Sequence, residues 1–332
     1  MKQNLYLMIF LLFGWGLIAC KKTVYINDEG NLVPRTVETD PAIPAISVNN
    51  ARFHAETFGN PANKMLVILH GGPGSDYRYL LNCKSFADQG YFVVFYDQRG
   101  SGLSARYSKD SYSIQVMLDD LAGVIAHYRS SPNQKVFLLG HSWGAILAAA
   151  FINAHASESV ITGAVLCEPG GLKWQDIKDY VSRSRDFRFT SEALNDAAYL
   201  DQFITGNIRQ QAILDYKLSL LSVADGNPGN PTGDEATVPF WRYGAVVNKA
   251  LFDLGERDKP DFTTHLSAYS TPVLFVYSEN NRAYGVDYAT RISTAFPHVQ
   301  LARIAGAGHD FPAFPAGWAN FFPIAVNYLN AF

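Results

Sequence analysis

The sequence contains little cysteine, with three residues in a chain of 332. Cys20 closes an apolar N-terminal segment, which leaves only Cys83 and Cys167 in the rest of the chain. Two cysteines are too few for a disulfide framework, so we expect buried free thiols, Cys83 in a helix and Cys167 in a strand. The fold must therefore depend on its core, for which 48% hydrophobic residues are ample.

An excess of positive charge is also missing. Lys and Arg number 27 against 30 Asp and Glu, for a net charge of −3, which argues against a nucleic-acid surface or a polybasic membrane patch. The Gly-rich segment at 70–74 lacks the Lys-Ser/Thr pair of a P-loop, and no G-x-G-x-x-G precedes a helix. No nucleotide cofactor is therefore predicted, and the length suits one large α/β domain or a domain with an insertion.

The first 20 residues have the layout of a secretory signal. Lys2 supplies a positive start and residues 5–18 are uncharged and apolar. The ending Leu-Ile-Ala-Cys at 17–20 resembles the lipobox of bacterial lipoproteins, in which the cysteine is diacylated. We therefore expect a signal peptide at 1–19, a lipid on Cys20, a polar tether at 20–44 and an exported, membrane-anchored protein. An ordinary signal peptide or an uncleaved anchor is the alternative.

Short apolar runs alternate with amphipathic segments along most of the chain. This alternation predicts an α/β fold with a mostly parallel sheet covered by helices on both faces. The predicted strands are 51–58, 65–69, 91–96, 136–139, 161–167, 272–277 and 299–304. The predicted helices include one capped by Ser113 that reaches Arg129, and others at 287–296 and 316–329.

The segment 172–268 breaks this alternation. It is richer in charged and aromatic residues, contains no buried strand, and reads as helices around 174–185, 191–203, 207–221 and 239–252. We interpret it as a helical cap inserted after strand six. The core would then consist of residues 45–171 and 269–332.

The pentapeptide GHSWG at 140–144 lies between a predicted strand and a predicted helix. A G-x-S-x-G turn exposes its serine at the edge of a sheet, so Ser142 is the predicted nucleophile. The N–H of Trp143 and the N–H of Gly72, in the loop HGGPG after an earlier strand, are the predicted oxyanion donors. The alternative is a plain strand-to-helix turn with a buried serine.

His309 follows the last predicted strand in the Gly-rich loop at 306–310. Such a loop could return the imidazole to Ser142. The order nucleophile, acid, histidine is that of the α/β-hydrolases. His309 is therefore the predicted base.

Four motifs together resemble the prolyl iminopeptidase family of α/β-hydrolase serine enzymes. They are HGGPG at 70–74, DQRGSG at 97–102, GHSWG at 140–144 and GAGH at 306–309. The resemblance implies an eight-stranded core, a helical cap and removal of a free N-terminal residue, often proline, from small peptides. It implies neither a metal nor an organic cofactor.

The sequence departs from this family at the acid. Members place an aspartate just after the penultimate strand, where this chain has Asn281. Glu168, at the end of the strand after the nucleophile strand, is the predicted replacement, because haloalkane dehalogenases and other α/β-hydrolases supply the acid from there. Glu279 is the second choice and Asp287 the third. A carboxylate that binds the substrate's ammonium group is the alternative role for Glu168.

A second departure concerns the cap. Members hold the substrate amine with cap glutamates, one of them in a Trp-Glu pair, where this chain has Trp241-Arg242. Glu192, Asp234 and Glu235 remain as amine ligands. The leading hypothesis is a serine aminopeptidase; an esterase or amidase on small acyl substrates and a non-catalytic binding lipoprotein are the alternatives. Dehalogenases and epoxide hydrolases are disfavoured because they carry aspartate in place of Ser142.

Overall fold

The computed structural model describes residues 32–158, 160–185, 208–224 and 229–332. The predicted signal peptide, residues 20–31 of the predicted tether and the predicted helix at 191–203 lie outside the described residues. Cys83 and Cys167 are both buried free thiols, as predicted.

Eight strands form one sheet in the order β1-β2-β4-β3-β5-β6-β7-β8. The first two strands and their junction with β4 are antiparallel, and all other neighbours are parallel. The mostly parallel sheet predicted from the sequence, and the eight strands that the family resemblance implies, are thereby confirmed. The strands are β1 Ala45–Val48, β2 Ala51–Phe58, β3 Lys64–Leu69, β4 Tyr91–Tyr96, β5 Val136–His141, β6 Gly163–Cys167, β7 Val273–Ser278 and β8 Val299–Ile304.

Helices lie on both faces of this sheet and bury its central strands. Strands β4, β5 and β6 are buried along their whole length, which explains their unbroken apolar sequences. The described helices are α1 Ile114–Tyr128, α2 Trp143–Ala154, α3 Trp174–Ser184, α4 Ile208–Ala224, α5 Ala245–Asp258, α6 Gly285–Ser293 and α7 Pro315–Asn330. A 3₁₀ segment, Tyr77–Gln89, follows β3. Ser113 caps α1 as predicted, because its hydroxyl accepts the Val116 N–H at 3.1 Å.

The register brings the ends of β5 and β6 to one level. His141 at the end of β5 pairs with Cys167 at the end of β6, and Cys167 pairs with Val276 in β7. Ser142 and Glu168 come directly after the two paired residues, so they lie at the same edge of the sheet. The carboxyl edge of a parallel sheet is where sites of this fold class form.

Helices α3, α4 and α5 lie between β6 and β7 in the chain, within the segment predicted as a cap. Asp215 of α4 is fully buried and accepts hydrogen bonds from Arg106 Nε at 2.9 Å and Arg242 Nε at 2.7 Å. Arg106 belongs to the loop after β4, so its contact with Asp215 fastens α4 to the core. Asp215 also accepts the Ala245 N–H at the start of α5.

The predicted helix at 239–252 begins later, at residue 245. The preceding backbone is held by the core instead. Asp76 Oδ2 accepts the N–H of Trp241 at 2.6 Å and of Arg242 at 3.0 Å, and Gly244 N–H donates to Gly74 O at 2.7 Å. The Gly244 N–H is therefore not available to the carbonyl of Phe240, which a helix over 239–252 would require. Burial, together with the nearby charge of Asp97, raises the pKa of Asp76 to about 7.

Residues 32–44 of the predicted tether pack on the domain. Val37 is buried and its N–H donates to Leu103 O at 2.9 Å, while Pro34 O accepts from Arg242 Nη1. Residues 32–44 therefore belong to the folded domain, whereas the sequence predicted them as part of a tether. Among the described helices, none has the length and apolar character needed to cross a bilayer.

Candidate active site

Ser142 sits at the sharp turn between β5 and α2 with φ of 54° and ψ of −120°, a region that non-glycine residues rarely occupy. Its N–H donates to Cys167 O at 2.9 Å. The flanking glycines make the turn feasible. A Cβ on Gly140 would collide with the Gly144 backbone, and one on Gly144 would collide with the carbonyl of Leu69. The backbone therefore holds the serine side chain clear of its strand.

Glu168 is fully buried at the end of β6 and has a φ of 45°. Its Oε1 accepts two hydrogen bonds from Ser278, one from the N–H and one from the hydroxyl, both at 2.6 Å. Its Oε2 accepts from Asn281 Nδ2 at 2.8 Å and from His309 Nδ1 at 2.6 Å. Four donors therefore contact the carboxylate and fix its orientation.

His309 is held from two sides. Its Nδ1 faces Glu168 and the Tyr180 hydroxyl, the latter at 3.1 Å, and its N–H donates to Thr232 O at 2.9 Å. Burial lowers the pKa of His309, but the hydrogen bond and charge of Glu168, with Asp310 and Asp234, outweigh it and raise the pKa to about 9. With Nδ1 engaged, Nε2 is the nitrogen left for a proton transfer.

The Ser142 hydroxyl makes no hydrogen bond to any residue that the structure describes. The Ser142 turn and the His309 loop are instead joined through the residue before Ser142, because His141 Nε2 donates to His309 O at 2.9 Å. Serine-to-base hydrogen bonds are often long without substrate. The catalytic roles of Ser142, His309 and Glu168 therefore stay predictions, supported by the placement of their loops.

The two predicted oxyanion donors, Trp143 and Gly72, belong to two different loops beside Ser142. Trp143 is the first residue of α2, so its N–H has no intrahelical acceptor. Gly72 has a φ of 120°, and its N–H has no partner within the described part of the chain. Gly71, beside it, approaches the nucleophile closely, since a Cβ there would lie 3.1 Å from the Ser142 Cβ.

The other acids weighed from the sequence point elsewhere. Glu279 is exposed and binds Arg303 at 3.1 Å and the Gly306 N–H at 2.8 Å. Asp287 is exposed on α6. Asn281 is fully buried and donates to the Glu168 carboxylate. The position where similar enzymes have an aspartate therefore adjoins the glutamate that is the predicted acid of this chain.

Two more carboxylates lie close to His309. Asp234 Oδ1 accepts the N–H of Asp310 at 2.6 Å, and both charges act on the imidazole. Burial and the charge of Asp234 raise the pKa of Asp310 to about 7, and burial raises the pKa of Asp234 as well. Of the other two acids considered as amine ligands, Glu235 is exposed and Glu192 lies outside the described residues.

The family to which the chain belongs follows from a comparison with known families. The model of the alpha/beta hydrolase fold family matches residues 64–314. The chain belongs to that family.

Individual relatives match over shorter stretches. A proline iminopeptidase of Thermoplasma volcanium is 36% identical over 111 residues, or 32% of this chain and 37% of the relative. Epoxide hydrolase B of Mycobacterium tuberculosis is 34% identical over 113 residues, or 33% of this chain and 31% of the relative. The chain thus spans about a third of the length of these curated relatives.

A solved structure matches this chain over most of its length. The crystal structure of a proline iminopeptidase from Mycobacterium smegmatis superposes with a TM-score of 0.54 at 18% identity. It covers 87% of this chain and 100% of that one. This likeness shows the fold alone.

In this alpha/beta hydrolase, Arg242 does not take the place of an amine-binding glutamate. The guanidinium is fully buried against Asp215 and also donates to Pro34 O at 2.9 Å. Its position is structural, so besides Glu168 the described acids whose charges act on the base are Asp234 and Asp310.

Several residues at the site escaped the sequence analysis. Asp310 directly follows His309, and His141 directly precedes Ser142. This adjacency to a predicted site residue was the only sequence signal for either of them. Tyr180, Tyr79 and Ser278 carry no local signal, because each reaches the site from a separate element. Among the described residues, His141, His309 and Asp310 offer ligand atoms within 4.8 Å of one another, but His141 Nε2 is already engaged with the His309 carbonyl.

Proposed function

We propose that the chain is a serine hydrolase of prolyl iminopeptidase type, which releases N-terminal residues from small peptides. The observation that carries the proposal is the 2.6 Å contact between Glu168 and His309 Nδ1, beside a serine in a strained turn. The contact orients the imidazole and stabilises the imidazolium that forms when it takes a proton.

Acylation begins when His309 Nε2 removes the proton of the Ser142 hydroxyl. The oxygen attacks the carbonyl carbon of the N-terminal residue, and the carbonyl oxygen becomes an oxyanion. The N–H groups of Trp143 and Gly72 bind it, each contributing about 3 kcal/mol to transition-state stabilisation. The imidazolium then protonates the leaving amine, the C–N bond breaks, and an acyl-serine remains.

Deacylation repeats these steps with water. Neutral His309 takes a proton from the water as it attacks the acyl-serine carbonyl, and the same two N–H groups bind the second oxyanion. The imidazolium returns its proton to Ser142 as the ester bond breaks. The free amino acid leaves and the enzyme is restored.

Asp234 and Asp310 support a substrate with a free amine. Within the described part of the chain, the only basic side chain recorded within 4 Å of Asp310 is His141, and Asp234 has none. The site therefore has a surplus of negative charge beside the base, which an ammonium group would balance.

The test compares proline p-nitroanilide with its N-acetylated form. We expect turnover of the free substrate, its loss on acetylation, and labelling of the wild type but not Ser142→Ala by a fluorophosphonate probe. Equal turnover of both substrates would refute the aminopeptidase assignment. Absence of Ser142-dependent labelling would instead favour a non-catalytic binding protein.

A second candidate is an esterase or amidase on small acyl substrates. The observation in its favour is the structural role of Arg242, since the Trp241-Arg242 pair then supplies no amine-binding glutamate where similar enzymes have one. A panel of free and blocked aminoacyl arylamides and short-chain esters separates the two. Preference for the esters and blocked arylamides would select the second candidate.

We further propose that the enzyme is exported and anchored to the cell envelope through a lipid on Cys20. The N-terminal sequence supports this proposal. Metabolic labelling with a radioactive fatty acid, in the wild type and in Cys20→Ala, tests it. Equal labelling of both forms, or of neither, would contradict it.

A further inference from the structure

A directed chain of hydrogen bonds joins the loop after β3 to the loop after β8 through the residue before the nucleophile. Gly71 N–H donates to the Tyr79 hydroxyl at 2.8 Å, and that hydroxyl donates to His141 Nδ1 at 2.8 Å. His141 Nε2 in turn donates to the His309 carbonyl at 2.9 Å. One imidazole therefore contacts both sides of the site.

The direction of this chain follows from its ends. A carbonyl oxygen only accepts, so His141 Nε2 carries a proton, and in the neutral ring Nδ1 is then the acceptor. A backbone N–H only donates, so the Tyr79 oxygen accepts from Gly71 and sends its own proton to Nδ1. Only the neutral Nε2–H tautomer of His141 satisfies every member.

The surroundings of His141 keep it in that state. The side chain is almost fully buried, and its ring centroid lies 4.6 Å from that of His309. Burial, with the neighbouring His309 charge, holds the pKa of His141 well below its usual value. His141 thus stays neutral while His309 carries a proton during turnover.

The same contacts determine where the Gly72 N–H points. His70 Nε2 accepts the Gln98 N–H at 2.9 Å, so His70 Nδ1 carries the proton that it donates to Gly71 O at 2.9 Å. In the trans peptide between Gly71 and Gly72, the N–H points opposite to the carbonyl. With the Gly71 N–H held by Tyr79 and its carbonyl held by His70, the Gly72 N–H has one orientation.

We propose that His141 and Tyr79 are positioning residues that set the Gly72 oxyanion donor and the His309 base against the nucleophile turn. Neither takes part in bond making. The proposal rests on the proposed function, because it assigns roles to Gly72 and His309 in an acyl transfer. It predicts that breaking the chain lowers the rate of chemistry more than it weakens substrate binding.

The test measures kcat, KM and Tm in Tyr79→Phe, His141→Gln and His141→Leu. The matched control is Tyr91→Phe, which removes a buried hydroxyl that donates to Asn330 Oδ1 at 2.9 Å, away from these loops. We expect Tyr79→Phe to lower kcat by about 10- to 100-fold with little change in KM, as for a misplaced catalytic group. His141→Gln, which keeps one donor for the His309 carbonyl, should retain more activity than His141→Leu. Tyr91→Phe should lower Tm to a similar extent and leave kcat unchanged.

Equal kcat values in Tyr79→Phe and Tyr91→Phe would overturn the proposal, and Tyr79→Phe carries the test if the His141 variants do not fold. A second measurement needs no activity. ¹⁵N NMR of the wild type should show His141 as the neutral Nε2–H tautomer, and an Nδ1–H tautomer would also overturn the proposal. A wild type without Ser142-dependent turnover contradicts the proposed function, whereas an Nδ1–H tautomer in an active wild type contradicts the positioning proposal alone.

Discussion

His309 Nδ1 donates to the carboxylate of Glu168 across 2.6 Å, although 141 positions separate the two residues in the chain. The Asn281 amide donates to the same carboxylate oxygen at 2.8 Å. Two strand ends, those of β6 and β7, therefore converge on one point beside the imidazole. A carboxylate could reach the imidazole from either end, and the one that contacts it in this chain follows β6.

This convergence predicts the result of moving the acid. Glu168→Gln should lower kcat by about 10³- to 10⁴-fold, because an amide cannot stabilise the imidazolium and favours the wrong tautomer. Adding Asn281→Asp should restore part of the lost kcat, since it returns a carboxylate to the adjoining position. Steady-state kinetics of the single and double variants provide the measurement.

Glu279→Gln is the matched control for the acid exchange. Its carboxylate contacts Arg303 and Gly306, so we expect wild-type kcat. Loss of turnover in Glu279→Gln, with turnover kept in Glu168→Gln, would contradict the assignment of the acid.

The charges around His309 predict a pH profile. Only the neutral imidazole accepts the serine proton, so kcat/KM should rise with pH around the His309 pKa of about 9. Asp310→Asn removes a negative charge that favours the imidazolium, so the midpoint should move to lower pH. Asp258→Asn, at the exposed end of α5, should leave it in place. An unchanged midpoint in Asp310→Asn would show that Asp310 does not act on the base.

The same raised pKa has a consequence for stability. The folded-state value lies above that of an unfolded histidine, about 6.5. The His309–Glu168 pair therefore makes its full contribution to the free energy of unfolding at pH values below about 6.5. This contribution is lost as the pH rises through about 9. Denaturation of the wild type and Glu168→Gln should give converging unfolding free energies as the pH becomes alkaline.

Much of the fold was predictable because its signals are local. The runs at 91–96 and 136–139 are apolar on both faces, and Ser113 marks a helix start through a contact three residues away. Strand β1 gave no such signal, because it is short and half-exposed. The start of α5 was misplaced because Asp76, which holds the preceding backbone, is 165 residues distant in sequence from Trp241.

The site residues also differ in whether a local sequence signal predicts them. Ser142, Glu168 and His309 each follow a strand, so a motif and a strand order were enough to propose them. Tyr180 and Tyr79 reach the site from elements whose sequences show only burial. Their roles depend on hydrogen bonds across 129 and 62 positions, which no local pattern encodes.

Asp234 provides a prediction about substrate class. Asp234→Asn keeps an oxygen that accepts the Asp310 N–H but removes the negative charge. We expect KM for proline p-nitroanilide to rise about tenfold, the effect of losing one charge-assisted contact. KM for a short-chain ester should not change, and Glu235→Gln, which alters an exposed acid, should behave as wild type. A parallel rise in KM for the ester would indicate a structural rather than an amine-binding role.

Asp215 provides a prediction about how the cap is held. It is fully buried and pairs with Arg106 and Arg242, so Asp215→Ala removes the carboxylate that both buried guanidinium groups contact. We expect the free energy of unfolding to fall by about 3–5 kcal/mol, measured by urea denaturation. The control is Asp253→Ala, which removes a half-exposed carboxylate paired with Lys109 and Lys249, and should cost at most about 1 kcal/mol. Equal losses in the two variants would show that the buried contacts do not fasten α4 to the core, since burial is the property in which the two acids differ most.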